Sequence, residues 1–548
     1  MKIKGTKQIT RRKARARAIG KTLSKRAIYI LQILLALVTG FLAYEGVRYS
    51  YFSPSDYEKD VFLMRDPAAA HVGVFVLGVL ALAAVCRLLD KAPAYQEKIC
   101  RGVLIFACIW IGVTGYLYIR EHPYYPVGDQ INTTAGAYYA RSGNFKMFQK
   151  GGYIGLFEQQ KGFLFLYEIY FALFGDLNYS MTSRFHLAFF IITLLAGHGF
   201  LKIVAKKPFY RILYSVMMMF CIPYILYLPY VYGDLPSICF SMVLFWALAA
   251  YEQRRKRRYL LAAAAAGALA LMVRMNIWIV LIAVGIGMIL LALKRCSLRP
   301  ILAGLCIVLA AAGTMRAISI MYEYRSGYES GIGIPAVLWV AMGLQETRGL
   351  PGIYNRYQQG VFEQNDFDRE ASAEIGKQYI RERLREMWQN PAYARNFFLE
   401  KVKLQWLEPL FGSLEETAEF GELKEEPEWI HDLYYGKTHD NVWKAANYYQ
   451  SMIYLACFCF AAASLFRRWN ALSGNCAGWI PLISVVGGFL FCILWESKCR
   501  YMMPYYLYLI LYAPIGFGIA ADGINGMIDR ILSKVKARTV KEHTDAAA

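Results

Sequence analysis

The chain has 548 residues, of which 57% are hydrophobic and 18% are charged, and its mean hydropathy is +0.30. A soluble protein normally carries about 25% charged residues, so this composition excludes an ordinary soluble enzyme. The net charge of +21 is divided among short Lys and Arg clusters between apolar runs, a membrane-topology pattern that argues against a nucleic-acid partner.

The first 26 residues form a basic tail. Residues 1–26 carry many Lys and Arg and no acidic residue, and an apolar run begins at Ala27. No small-residue cleavage pattern follows this run, so it is predicted to be an uncleaved first span and not a signal peptide. We expect the tail to stay cytoplasmic as a solvated topology signal, and membrane lipid is an expected partner of the chain.

Apolar runs near 20 residues long recur along the chain, and a helix of about 20 residues crosses roughly 30 Å of hydrocarbon. They predict an all-α polytopic transmembrane bundle of about twelve spans. These spans occupy 27–119, 183–319 and 447–521, and a basic tail follows at 522–548. The individual predictions are 27–46, 69–89, 101–119, 183–203, 211–229, 236–252, 259–273, 277–293, 300–319, 447–466, 478–495 and 503–521.

The charges between the spans predict their orientation. Every connection that falls inside in this scheme is basic, as at 254–258 and 467–468, whereas the outside segments hold most of the acids. Both termini are therefore expected in the cytoplasm. This arrangement fits a bacterial cytoplasmic membrane, and it fits an endoplasmic reticulum membrane almost as well.

Two of the predicted outside segments are too long to be simple connections. Residues 120–182 form a polar, aromatic-rich loop that is expected to hold the catalytic groups. Residues 320–446 show helical patterning at 367–388 and an acidic run at 414–429, which is expected to be a solvated face. Together the two segments predict a small extracytoplasmic cap over the bundle.

Several charged residues are predicted to meet at the outer membrane surface. Asp234 precedes the sixth span, Arg274 lies between the seventh and eighth, and Arg500 lies between the last two. Asp129 and Lys161 come from the loop 120–182. Ionisable groups at membrane depth are costly and usually face a cavity. Their shared side indicates one site, although each charge taken alone also fits an interfacial anchor.

Carboxylates beside cations at a lipid surface suit the transfer of a sugar from a polyprenyl phosphate. The acceptor nucleophile needs a base to take its proton, and the departing phosphate needs cations that stabilise its charge. Direct displacement at the anomeric carbon inverts its configuration, by the geometry that separates inverting from retaining glycosidases.

The order of motifs between the third and fourth spans resembles the first outer loop of the GT-C glycosyltransferases. The motifs are GDQ (128–130), AYYARSGNFKMF (137–148), EQQKGFLFLYEIYFALFGD (158–176) and SR (183–184). The subgroup that they resemble most is that of the protein O-mannosyltransferases and the aminoarabinose transferase acting on lipid A. YGDLPS (232–237) and RYMMPY (500–505) are similar to elements of the family's later spans.

The resemblance implies an inverting glycosyltransferase that takes a sugar from a polyprenyl-phosphate donor and passes it to a glycan, lipid or protein acceptor. Asp129 stands in the place of the family's catalytic acid, and Asp234 in the place of its second acid. Glu158 and Lys161 stand near the pair that meets the lipid phosphate. The predicted substrate-binding residues are Glu158, Lys161, Arg184, Arg274 and Arg500.

This sequence departs from the family pattern at two motifs. The family's acidic pair is Asp129-Gln130 here, which leaves one carboxylate, and the family's KPPL is KGFL at 161–164. Two spans also precede the usual first one, and 320–446 has no obvious relative in the family. The acceptor is therefore not carried over from the resemblance.

No metal and no cofactor are expected. His431 and His439 are eight residues apart, a spacing that fits no common ligand pattern. The twelve cysteines lie mostly inside apolar runs and show no metal-ligand spacing, so buried free thiols are expected.

Two other functions compete with sugar transfer. A transporter or flippase of a polyprenyl-linked glycan also fits about twelve spans, although transporters usually show internal repeats and interrupted helices. A non-catalytic membrane scaffold would use 320–446 to bind a partner.

Overall fold

A computed structural model describes residues 2–53, 61–122, 124–418, 426–466, 472 and 474–547. In this part of the chain almost all regular structure is helical, and the described strands form two small antiparallel sheets. The predicted all-α class is therefore confirmed. The predicted basic connection at 467–468 and the middle of the acidic run, 419–425, lie outside the described residues.

The first three predicted spans correspond to three long helices. The predicted tail and the first span form one continuous helix, because no Gly-Pro or turn sequence separates them. The elements are α1 (Lys2–Gly46), β1 (Tyr49–Phe52), β2 (Phe62–Arg65), α2 (Ala68–Lys91) and α3 (Gln96–Glu121). Strands β1 and β2 pair with Tyr49 opposite Arg65, and they connect α1 to α2.

The loop 120–182 folds into three short helices that pack on the bundle. They are α4 (Asp129–Arg141), α5 (Tyr153–Leu156) and α6 (Lys161–Phe174). Glycines permit the close contacts: a Cβ added at Gly136 would lie 2.9 Å from the Leu164 side chain. A Cβ at Gly162 would lie 2.2 Å from the Met272 carbonyl oxygen, so α6 touches the backbone of a later helix. The loop is therefore part of the packed structure.

The middle of the chain supplies seven helices. They are α7 (Ser180–Val204), α8 (Pro208–Met219), α9 (Ile222–Leu226), α10 (Asp234–Arg254), α11 (Arg257–Val273), α12 (Ile277–Arg295) and α13 (Arg299–Ser326). Helix α10 lies in the interior of the bundle, with most of its residues buried.

The predicted span 211–229 is a broken segment. Helix α8 has 12 residues, which gives it a length of about 18 Å, too short to cross the hydrocarbon. Pro223 and Pro229 follow, and proline removes a helical hydrogen bond and disfavours helix at the residue before it. The chain continues through α9 and an irregular stretch at 227–233. This stretch brings backbone and tyrosine side chains into the packed interior.

The segment between α13 and the next long helix is largely helical, as its patterning predicts. Its elements are α14 (Ala336–Gly343), β3 (Glu346–Thr347), β4 (Leu350–Pro351), α15 (Tyr357–Gln364), α16 (Arg369–Gln389), α17 (Pro391–Trp406), α18 (Ser413–Glu416) and α19 (Glu428–Tyr435). The predicted helix at 367–388 is α16. The Asp368 carboxylate begins it by accepting the backbone N–H groups of Glu370 and Ala371 at 2.9 Å.

Four helices complete the chain: α20 (Lys437–Phe466), α21 (Ile480–Leu494), α22 (Met503–Ile510) and α23 (Ala513–Ala547). Over the described residues, nine helices are long and apolar enough to cross a membrane. The pair α22–α23, bent by 45° at its break, adds a tenth if it counts as one span. The prediction of about twelve spans is therefore not confirmed: among the predicted spans, α8 has 12 residues and α11 has 17, fewer than the roughly 20 that cross the hydrocarbon.

The long helices alternate in direction, so the bundle has two distinct ends. The end where α10 and α12 begin and α11 and α21 end is called the Asp234 end. The opposite end holds Glu97 at the start of α3 and Glu252 near the end of α10. The segment from α14 to α19 lies at the Asp234 end, where the Ser497 N–H donates to the Gly352 carbonyl at 2.7 Å.

Candidate functional site

A buried ion pair joins α10 to the turn between α11 and α12. The Arg274 guanidinium donates from Nη2 to Asp234 Oδ1 at 2.7 Å, and Asp234 is only 2% exposed. The pair forms because Gly233 has no side chain: a Cβ there would lie 2.1 Å from the Val273 carbonyl oxygen. Among the described residues, Asp234 Oδ2 has no hydrogen-bond partner. The carboxylate therefore keeps unused acceptor capacity in the interior.

Two arginines share the same tyrosine rings. The Arg274 guanidinium lies 4.8 Å from the Tyr232 centroid and 5.6 Å from the Tyr501 centroid. The Arg500 guanidinium lies 5.4 Å and 5.8 Å from the same two rings, and 5.1 Å from Tyr230. Cations over aromatic faces are attracted by the ring quadrupole. The tyrosines of the irregular stretch 227–233 thus hold two guanidinium groups close together.

A buried carboxylate from α18 pairs with the second arginine. Arg500 Nη1 donates to Glu416 Oε2 at 2.7 Å, and Lys498 pairs with the other oxygen of Glu416. The Tyr230 hydroxyl donates to Glu416 at 2.9 Å. Glu416 is buried. The start of the acidic run is therefore not a solvated face, which corrects that prediction for this residue.

The Glu416 contact was missed because the run was treated as one unit. A usable signal was present in the apolar stretch LEPLFGSL (407–414) immediately before it, which marks a packed segment. A carboxylate that follows such a stretch directly is placed next to the core, and a buried carboxylate requires a cation.

Asp129 begins α4 and is exposed. The preceding Gly128 has φ +56° and ψ −127°, a conformation that favours glycine and turns the chain into the helix. The Tyr153 hydroxyl donates to Asp129 Oδ1 at 2.8 Å. Asp129 is thus an accessible carboxylate whose orientation is set by a neighbouring phenol.

The electrostatics connect Asp129 to the arginines. Burial lowers the pKa of Arg274, but the Asp234 carboxylate, then Tyr232 and Tyr501, and last the Asp129 carboxylate more than offset it, and the pKa is raised. Burial raises the pKa of Tyr354, and the Asp129 charge adds to that rise. Asp129 therefore lies within electrostatic reach of Arg274 and of Tyr354, which precedes α15.

Gln130, the residue after Asp129, anchors α4. Its side-chain oxygen accepts the Val231 N–H at 2.8 Å and the Tyr124 hydroxyl at 2.6 Å. Gln130 is buried. A neutral amide satisfies two donors without the cost of burying a charge. Gln130 therefore attaches Asp129 to the stretch 227–233.

The predicted pair Glu158 and Lys161 forms, but its cation is already satisfied. Lys161 Nζ donates to Glu158 Oε1 at 3.1 Å and to Ser330 Oγ at 2.8 Å, and Lys161 is buried. Glu158 also accepts the Gly331 N–H at 2.8 Å. The pair attaches the stretch after α13 to the start of α6. Gln160, one residue before Lys161, hydrogen-bonds the Tyr232 hydroxyl and links this pair to the shared tyrosine rings.

Arg184 lies apart from the other predicted site residues. It is exposed on α7, and its guanidinium contacts the Met181 sulfur at 3.0 Å. None of its described contacts joins it to Asp129 or Arg274. The structure thus places Asp234, Arg274 and Arg500 around the same tyrosine rings and attaches Asp129 to them through Gln130 and Val231. It links Glu158 and Lys161 to these rings through Gln160 and leaves Arg184 at the periphery.

Glu496 adds a further carboxyl group beside Tyr501. The Tyr501 hydroxyl donates to Glu496 at 3.0 Å. Burial raises the pKa of Glu496, the Lys498 ammonium and the Tyr501 hydrogen bond oppose that rise, and the Asp129 charge adds to it. Glu496 is buried, which leaves Asp129 as the exposed carboxylate of the group.

The arrangement combines a base with anion-binding groups. An exposed carboxylate accepts a proton from a bound hydroxyl, and each guanidinium carries five N–H donors, more than its described partners use. Arg500 Nε, for example, has no partner among the described residues. Comparison of the chain with protein-family models, curated proteins and solved structures gives no significant match.

Proposed function

We propose that this chain is an integral membrane glycosyltransferase that moves a sugar from a polyprenyl-phosphate donor to a glycan, lipid or protein acceptor with inversion. One observation carries the proposal: Gln130, next to the exposed Asp129, accepts the Val231 N–H, and the ring of the adjacent Tyr232 lies against both Arg274 and Arg500. A base and two phosphate-binding cations are the groups that this transfer requires.

In the proposed reaction Asp129 accepts the proton of the acceptor hydroxyl. The acceptor oxygen attacks the anomeric carbon, and the bond between that carbon and the phosphate oxygen breaks with its electron pair on the phosphate. Arg274 and Arg500 stabilise the charge that develops there. The proton then leaves Asp129 for solvent, which its exposure permits. Attack opposite to the leaving group inverts the anomeric centre.

The other predicted residues have supporting roles in this proposal. Asp234 holds the Arg274 guanidinium against the tyrosine rings, which assists the phosphate contact. Glu158 and Lys161 hold the stretch after α13 in place beside the site. Contact of Arg184 with the lipid headgroup stays a prediction.

We place the Asp234 end on the outer side of a bacterial cytoplasmic membrane. The basic connection 254–258 lies between α10 and α11 at the opposite end, together with the basic connections that follow α12 and α7. By the positive-inside rule that end is cytoplasmic. Accessibility labelling of the variants Tyr139→Cys and Arg257→Cys in intact cells tests the orientation, because the two positions lie at opposite ends of the bundle.

The test of function replaces the base without changing its shape. Asp129→Asn is reconstituted in liposomes with a panel of polyprenyl-phosphate sugars. Its transfer rate is expected to be about 10²–10⁴-fold lower than that of the wild type. Asp176→Asn is the control, because Asp176 is a carboxylate of the same loop that pairs with Arg141 at 2.9 Å. Its transfer rate is expected to match the wild type. Full transfer by Asp129→Asn would refute the assignment.

A second function has one structural observation in its favour. The broken segment 208–233 and the 45° break between α22 and α23 are interruptions of the kind that transporters use at their binding sites. A flippase of a polyprenyl-linked glycan predicts movement of a fluorescent lipid-linked glycan across the liposome bilayer. Movement that persists in Asp129→Asn, without sugar transfer by the wild type, would favour the flippase over the enzyme.

A further inference from the structure

A series of aromatic rings leads from α21 to Asp129. The ring centroids are separated by 5.0 Å for Phe491 and Trp495, and by 5.9 Å for Trp495 and Trp339. They are separated by 6.3 Å for Trp339 and Phe157, and by 4.9 Å for Phe157 and Tyr153. The Tyr153 hydroxyl then donates to Asp129. We call this series the aromatic wall; it consists of Phe491, Trp495, Trp339, Phe157 and Tyr153.

The wall begins at a surface that faces hydrocarbon. Helix α21, with the turn before it, is one of the helices that are long and apolar enough to cross a membrane. Leu490, Phe491 and Leu494 on it are 55%, 38% and 46% exposed. Large apolar side chains exposed on such a helix contact lipid chains. Trp495, Trp339 and Phe157 are half-buried, so each leaves part of its surface uncovered.

The tryptophan on α14 is held rigidly in this series. Gly343 ends α14 directly against α21, where an added Cβ would lie 2.4 Å from the Leu494 carbonyl oxygen. The buried Lys401 ammonium donates to the Gly343 carbonyl. On the other side, a Cβ added at Gly376 would lie 2.9 Å from Leu338. Three contacts therefore fix α14, and with it the Trp339 ring, against Trp495.

We propose that the aromatic wall binds the isoprenoid chain of the lipid-linked donor and leads it from the bilayer to Asp129. This proposal rests on the proposed function. The wall is continuous with the lipid-facing side of α21 at one end and with the proposed base at the other. Its rings offer apolar and aromatic surface to an unsaturated hydrocarbon chain. The headgroup of a lipid on this path arrives beside Arg274.

The test measures lipid binding independently of sugar transfer. The full chain in lipid nanodiscs is irradiated with undecaprenyl phosphate that carries a diazirine on its chain. Labelling of the double variant Trp339→Ala/Trp495→Ala is expected to be at least about tenfold lower than that of the wild type. The control is Trp388→Ala, since Trp388 is 85% exposed on α16 and lies outside the wall. Its labelling is expected to equal that of the wild type.

Two further arms separate a binding loss from misfolding. Trp339→Phe/Trp495→Phe keeps aromatic rings and is expected to retain most of the labelling. Transfer from a geranyl-phosphate donor, whose chain is too short to cover the wall, is expected to change little in the alanine variant. The proposal would be refuted if the alanine variant were labelled as strongly as the wild type. It would also be refuted if the alanine variant lost transfer equally from the geranyl and undecaprenyl donors.

The outcomes distinguish this proposal from the proposed function. Asp129→Asn is expected to keep its labelling while it loses transfer. Wall-dependent labelling of a wild-type chain that transfers no sugar would refute the enzyme and retain the lipid path. Transfer by the wild type, with labelling that ignores the wall, would retain the enzyme and refute the lipid path.

Discussion

The two ends of the bundle use charge differently. At the opposite end, Glu252 accepts the Ala477 N–H at 2.8 Å with one oxygen and pairs with Lys294 at 3.4 Å with the other. There Arg211 also pairs with both oxygens of Glu97, whose side chain is 52% exposed. At the Asp234 end the arginines lie on tyrosine rings, and Asp234 Oδ2 has no partner among the described residues.

This difference separates structural ion pairs from a site. The pairs at the opposite end connect helices and loops, and their charges either reach water or use both oxygens. At the Asp234 end polar capacity is buried and left unused beside an exposed carboxylate, which costs stability unless a ligand uses it. Arg211 Nε at the opposite end also lacks a partner among the described residues, so the difference lies in the carboxylates: Glu97 and Glu252 use both oxygens, whereas Asp234 does not.

Removal of one arginine from each end is the most severe test of this contrast. Arg500→Met leaves Glu416 buried with Lys498 as its remaining cation, and is expected to cost about 3 kcal/mol of stability. Arg211→Met releases Glu97 toward water, and is expected to cost less than about 1 kcal/mol. Thermal unfolding of the purified chains in one detergent measures both. Equal losses would remove the distinction between the ends.

The pH dependence of stability is expected to come from two buried groups at the Asp234 end. Burial raises the pKa of Glu408 from 4.5 to about 8, against the opposing backbone N–H bonds of Gly412 and Leu410. Burial lowers the pKa of Lys401 from 10.5 to about 7. Between pH 4.5 and 7 the folded chain alone keeps the Glu408 proton, so stability falls as pH rises, by up to about 1.4 kcal/mol per pH unit.

Above pH 8 the sign reverses, because the unfolded chain alone still binds the Lys401 proton, and stability rises toward pH 10. Thermal midpoints at pH 5, 7 and 9 should therefore pass through a minimum near neutrality. Glu408→Gln is expected to remove the fall at low pH, and Lys401→Met the rise at high pH. Unchanged slopes in both variants would show that these groups do not titrate as their burial predicts.

The smallest expected effect concerns a glycine at each end. Gly128→Ala places a side chain at φ +56°, ψ −127°, and is expected to cost about 1–2 kcal/mol and to displace Asp129. Gly102→Ala on α3 meets open space in an ordinary helix, and is expected to be neutral or to stabilise by up to about 1 kcal/mol. Thermal unfolding measures the stability cost of each substitution, and the rate of sugar transfer reports the displacement of Asp129. A strain-free Gly128→Ala with full transfer would weaken the positioning of Asp129.

Part of this structure follows from local sequence. Apolar runs near 20 residues predict helices such as α2, α3, α7 and α12 within a few residues of their bounds, since backbone hydrogen bonds must close within each segment in hydrocarbon. Pro223 and Pro229 also account for the break after α8, although the run was predicted as one span. Local composition thus determined the helices and their membrane character.

The contacts between distant residues were decided by the tertiary structure alone. Arg500 meets Glu416 across 84 residues, and Gln130 meets Val231 across 101. Lys161 was predicted to bind the lipid phosphate, yet Glu158 and Ser330 already occupy its ammonium. The periodicity of a helix indicates which of its faces is apolar, but it does not predict which other helix ends pack beside that helix. That relative placement decides which charges are paired and which are left for a substrate.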